Sequence, residues 1–113
     1  MKLWWFTFSI FLMFCAVSRA ATLVPPGPLN TATWTSNGNP YIISGDVIVI
    51  PTASLTIEHG TDIQFSSTDS FSYGLDTNKP ELIVQGALYV QGTSNAPVIF
   101  HAISNFTAGA WYG

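Results

Sequence analysis

Asp46, Glu58, Asp62, Asp69, Asp76 and Glu81, with His59 and His101, are the side chains best suited to transferring a proton or ligating a metal in this chain. Glycoside hydrolysis uses two carboxylates roughly 5–9.5 Å apart across one bond. Glu58, Asp62 and Glu81 qualify by residue type, but their spacing gives no sign that any two coincide, and isolated acids in polar stretches are ordinarily solvated turn residues. A histidine can serve as a general base or a zinc ligand, but zinc needs roughly three or four ligands. Neither His59 nor His101 has a second histidine or a cysteine near it, and no triad order is present. Asp69 and Asp76 share one polar stretch without the spacing of a calcium loop. The sequence therefore assigns no catalytic, cofactor-binding or metal-ligating residue, and no cofactor is expected.

The remaining chemistry is bounded by the leader and by charge. Lys2 precedes an apolar run from Leu3 to Val17, and Ser18-Arg19-Ala20 supplies small residues at the two positions that define a cleavage site after Ala20. That is the form of a secretory signal peptide. The run is shorter than the roughly 20 residues a bilayer core needs, and no second apolar span follows, so no stable transmembrane span is expected. Phe14 is too large beside Cys15 for a lipoprotein signal. Cleavage leaves 93 residues without cysteine, one domain at most, with no disulfide and no thiol nucleophile. It also removes Lys2 and Arg19, moving the formal charge from −3 to −5, with Lys79 the sole remaining Lys or Arg. Such a chain cannot displace counterions from nucleic acid, and charge equally disfavours anionic membranes and acidic polysaccharides.

The elements that must carry these residues are short. In residues 45–65, Val47/Val49, Leu55/Ile57 and Ile63/Phe65 are apolar pairs with the two-residue period of a β-strand. The pairs recur every eight residues, separated by Pro51-Thr52-Ala53-Ser54 and Glu58-His59-Gly60-Thr61. A second set follows at Leu82/Val84, Leu88/Val90 and Val98/Phe100. Short strands turning a corner at short intervals suit a solenoid whose stacked coils share one core. Thr56, Gln64, Tyr89 and Ile99 are then expected to face outward. Residues 66–80 break the rhythm and read as a loop on one corner; Phe71, Tyr73 and Leu75 alternate within it, as either a short lid strand or an exposed apolar contact surface. Pro25-Pro26-Gly27-Pro28 marks residues 21–33 as a Pro-rich extended spacer, Trp34 is expected to cover the open end of the first coil, and Tyr41-Ile42-Ile43 is expected to be the first strand.

Trp34, Asn39-Pro40-Tyr41, Gly45-Asp46-Val47, Leu55-Thr56-Ile57-Glu58, Gly60-Thr61, Ile63-Gln64-Phe65, Leu82-Ile83-Val84, Gly86, Leu88, Gly92-Thr93, Pro97-Val98-Ile99-Phe100 and Gly109-Ala110-Trp111-Tyr112-Gly113 carry a specific likeness. From Trp34 onward the chain resembles the opening coils of secreted right-handed parallel β-helix proteins of the pectin-lyase-like kind. It departs from that pattern at His59, where the family usually has proline, and at Asp62, where it usually has an apolar residue. The resemblance implies an all-β fold, a right-handed parallel β-helix over residues 34–113, incomplete at the C-terminal end where Trp111-Tyr112-Gly113 resembles the start of another coil.

A scaffold pattern carries no activity of its own. The expected function is a non-catalytic secreted or cell-surface module, structural or adhesive, contacting carbohydrate or another cell-surface protein. The alternative is the N-terminal part of a polysaccharide hydrolase or lyase whose catalytic coils lie downstream. An uncapped rung is expected to drive end-to-end self-association. Asn105-Phe106-Thr107 has the form of a eukaryotic N-glycosylation acceptor.

Overall fold

Each two-residue apolar pair becomes a strand, and every strand pairs in parallel with the strand one coil away. The structure is a computed structural model that describes residues 20–103. The leader through Arg19, Asn105 and the terminal Trp111-Tyr112-Gly113 motif lie outside the described residues. Ten strands follow in order: β1 Thr22–Val24, β2 Gly27–Leu29, β3 Ala32–Trp34, β4 Tyr41–Ile43, β5 Val47–Val49, β6 Ser54–Glu58, β7 Asp62–Phe65, β8 Leu82–Val84, β9 Ala87–Gln91 and β10 Ile99–Ala102. They form three parallel sheets with orders β1-β4-β7-β10, β2-β5-β8 and β3-β6-β9, so three coils are complete and β10 opens a fourth. This is the parallel β-helix that the spacing of the pairs predicts.

The core is built from stacked inward columns. On the first sheet Val24, Ile43, Phe65 and Ala102 stack, beside Thr22, Tyr41, Ile63 and Phe100. The second sheet stacks Val47 on Leu82 and Val49 on Val84; the third stacks Leu55 on Leu88 and Ile57 on Val90. Val47, Val49, Leu55, Ile57 and Ile63 are fully buried, as is Phe65 within 1%. Each such side chain contributes about 1.5–3 kcal/mol by leaving water. Trp34 is buried and stacks on Tyr41 at 5.0 Å between ring centroids. The Tyr41 hydroxyl donates to the Thr35 carbonyl and accepts from the Thr35 N–H, both at 3.0 Å, so the buried phenol is satisfied at the first corner.

Two expectations are corrected. Residues 21–33 are not a spacer: they hold β1, β2 and most of β3, a full coil that stacks on the next one, and Tyr41-Ile42-Ile43 is therefore the fourth strand. Proline enters because β2 is an edge strand, where a missing N–H breaks no inner ladder. Gly27 takes φ +106°, and its N–H donates to the Asp46 carbonyl at 2.7 Å. Val98 and Phe100 both pack against the core as expected, and the strand carries the inward column on to Ala102: Phe100 registers with Ile63 and Ala102 with Phe65. Finally, Val84, Leu88 and Val90 occupy inward columns yet remain 38%, 37% and 48% exposed, because no described strand stacks over β8 or β9. Tyr89 and Ile99 face outward as expected and are exposed; Thr56 and Gln64 are half-buried on the outer faces of β6 and β7.

Side chains staple the corners. Asn39 donates to the Gly60 carbonyl and accepts from the Asp62 N–H, both at 2.7 Å, tying the second coil to the third. The buried Thr61 hydroxyl donates to the Glu58 carbonyl at 2.7 Å and closes the same turn, where Gly60 takes φ +77°. Among the described residues no helix is long and apolar enough to cross a membrane.

Candidate functional site

The three candidate acids project from different parts of the coil. Glu58 ends β6 on the third sheet, in register with Gln91. Asp62 starts β7 on the first sheet, in register with Ile99. Glu81 immediately precedes β8 of the second sheet and is buried. The three thus lie on or beside three different sheets, and Glu81 is turned into the insertion rather than outward. His59 is exposed in the turn after β6.

Asp62 instead meets His101, a contact that the linear sequence does not show. The pairing of β7 with β10 sets Gln64 beside His101 and leaves Asp62 as the diagonal neighbour on the same outer face. The Asp62 Oδ1 lies 2.6 Å from His101 Nε2, and Oδ2 accepts from the Gln64 amide at 2.9 Å. His101 Nδ1 lies 3.1 Å from the Ala102 carbonyl oxygen. Both ring nitrogens thus face acceptors, and the imidazole satisfies both when both nitrogens carry hydrogen. The geometry is that of a clamp between adjacent coils.

A second constellation gathers around the insertion between β7 and β8. Asp46 is fully buried. Its Oδ2 accepts from the Tyr73 and Gly74 N–H groups and its Oδ1 from the Glu81 N–H at 2.8 Å. One carboxylate therefore fixes both the crest and the return of the insertion. Glu81 continues the arrangement, its Oε2 accepting from the Asp76 N–H at 2.8 Å. Gly74 lies so close that a Cβ on it would come within 2.2 Å of the Glu81 carboxylate. The backbone of residue 70 is tied down through its N–H to the Ser44 carbonyl at 2.8 Å, and the Phe71 ring lies 4.0 Å from where a Gly27 Cβ would stand. The insertion thereby lies across the outer face of the second sheet, where the outward-facing Ile48 of β5 is buried.

Of the two alternatives for Phe71, Tyr73 and Leu75, the contact surface is the one formed: no strand spans them, and all three are exposed. The Phe71 and Tyr73 rings stack at 6.1 Å. Tyr73, Gly74, Leu75, Glu81 and Ile83 line an open pocket of about 260 Å³. Asp76 pairs with Lys79 at 3.9 Å on the surface and caps its own turn through the Asn78 N–H. Asp69 Oδ1 accepts from the Phe71 N–H at 2.9 Å. Among the described residues no three potential metal ligands converge.

A family model described as a pectate-lyase like beta helix domain matches residues 27–113. The chain belongs to the pectate-lyase-like β-helix family. The match begins at Gly27, inside the first observed coil. No curated protein and no solved structure matches the chain. Within this β-helix, sequence reasoning missed Asp46 and the Asp62–His101 pair. The signal for Asp46 was its place directly before the apolar Val47-Ile48-Val49 run, where a short polar side chain must turn back to backbone donors. For Asp62 and His101, 39 residues apart, no local signal exists.

Proposed function

We propose that this pectate-lyase-like β-helix is a non-catalytic secreted or cell-surface module, a rigid stacked scaffold whose insertion at residues 66–81 contacts carbohydrate. One observation carries the reading: Asp46, Asp62, Glu81 and His101 are engaged in holding the scaffold, while Glu58 and the exposed His59 stand apart from them. Asp46 and Glu81 hold the insertion's backbone, and Asp62 holds His101 and Gln64. What the insertion turns toward solvent is instead an aromatic and apolar surface, the kind that stacks on the C–H face of a sugar ring. Export and a surface location are read from the leader.

The test is incubation of the secreted chain with a panel of neutral and acidic polysaccharides. The expected result is retention of the chain on at least one of them, with no release of reducing ends or unsaturated products. Cleavage that disappears in Glu58→Gln or Asp62→Asn would replace this reading with an enzymatic one. The second reading, the N-terminal part of a polysaccharide hydrolase or lyase with catalytic coils downstream, is favoured by the description of the family that the chain matches. It is tested by the same assay on any longer form of the protein.

A further inference from the structure

We infer that the pocket beneath the insertion is a subsite for a neutral sugar ring and excludes uronates. The inference rests on the carbohydrate-contacting reading above and narrows it.

Three features define the occupant. First, Tyr73 supplies a ring that is 58% exposed yet held in place. Its main-chain N–H is fixed by Asp46, and its ring is backed by Phe71 at 17° between planes. A pre-set aromatic face recognises the axial C–H groups of a pyranose and loses little side-chain entropy on binding. Second, the buried carboxylate of Glu81 is oriented from one side only. Oε2 takes the Asp76 N–H, while among the described residues no donor reaches Oε1. A carboxylate oxygen held in a largely apolar wall accepts a hydroxyl hydrogen, and the charge strengthens that bond. Leu75 and Ile83 complete the wall. At about 260 Å³ the pocket lies just below the range of roughly 300–1,000 Å³ typical of larger ligands, which suits one ring and not an extended chain segment.

Third, charge decides between neutral and acidic sugars. Glu81 is in the wall, Asp46 is bonded to its N–H, and Asp69 and Asp76 lie in the same insertion. The one nearby cation, Lys79, is turned to Asp76 at 3.9 Å. A uronate carboxylate entering this site would meet like charge, with the one lysine among the described residues already facing Asp76, whereas a neutral ring offers donors where acceptors wait.

Calorimetric titration of the full chain with cellohexaose, mannohexaose, xylohexaose and hexagalacturonate tests the proposal. At least one neutral oligosaccharide is expected to bind, and hexagalacturonate to bind at least tenfold more weakly at low salt, on the order of one like-charge contact. Tyr73→Ala should weaken the neutral ligand about tenfold, as loss of an aromatic platform does. Glu81→Gln should weaken it and narrow the gap to hexagalacturonate. Because Glu81 also supports the insertion, Leu75→Ala gives a second readout: at 83% exposed it is removable without unfolding, and it should weaken the same ligand. Hexagalacturonate binding as tight as any neutral ligand would overturn the inference and leave the carbohydrate reading standing. Neutral binding untouched by both Tyr73→Ala and Leu75→Ala would likewise overturn the site. Failure of all four oligosaccharides to bind would overturn both.

Discussion

The Asp46 carboxylate satisfies three main-chain N–H groups, those of Tyr73, Gly74 and Glu81, from a position with no solvent access. Asn at this site keeps one acceptor oxygen and turns an NH2 group toward donors. Asp46→Asn is therefore expected to lower stability by about 3 kcal/mol, the scale of losing a charge-assisted bond and stranding a buried donor. Urea denaturation measures this, and a change under about 0.5 kcal/mol would contradict the assigned bonds. Gly74→Ala makes a related point. Its new Cβ meets the Glu81 carboxylate, which is already held by Asp76, so the glutamate must leave its position. The expected outcome is a modest loss of stability with loss of ligand contact at the pocket, read by comparing melting with binding.

Strands and corners respond differently. Ile57 is fully buried on β6, and its neighbour Thr56 lies on the outer face. Ile57→Asp should cost roughly 3 kcal/mol or more by burying an unpaired charge, and Thr56→Asp well under about 1 kcal/mol. Equal losses in denaturant midpoints would mean that the register is wrong. At the corner between β8 and β9, a Cβ on Gly86 would come within 2.1 Å of the Ala53 carbonyl oxygen and 2.4 Å of that of Ile50. Both obstacles are backbone of the preceding coil, so neither can swing aside. Gly86→Ala is expected to cost about 3 kcal/mol, the upper part of the overpacking range. By contrast, the Asp62–His101 pair is partly exposed, with side chains 30% and 41% accessible. Asp62→Asn should cost only about 0–1 kcal/mol, because solvent screens such pairs.

In the whole molecule, the inward columns end in Val84, Leu88 and Val90, which remain exposed among the described residues. A parallel strand edge with apolar side chains beneath it is a template for another chain. The chain from residue 21 onward, expressed alone, is expected to self-associate with rising concentration in sedimentation experiments. Leu88→Lys with Val90→Lys should return it to monomer, since two charges on that rung would have to be buried on stacking. Association unchanged in the double variant would place the contact elsewhere.

The two-residue spacing within each apolar pair determined which side chains face the core, because alternation is a property of the extended backbone and not of its neighbours. Glycine and proline located most corners, and the loss of rhythm after Phe65 located the insertion. Tertiary structure decided what local pattern could not. It turned the Pro-rich residues 21–33 into a coil, because proline is harmless on an edge strand. It set the register that stacks Phe100 on Ile63, a choice invisible to parity. Among the described residues it left Val84, Leu88 and Val90 open, since burial depends on what stacks above. It also made the sites: Asp46 draws in donors from 27, 28 and 35 residues away, and Asp62 meets His101 only because β7 and β10 are neighbours in space. In a solenoid, contacts across a coil are set by coil length, and coil length is set by insertions whose shape no local spacing encodes.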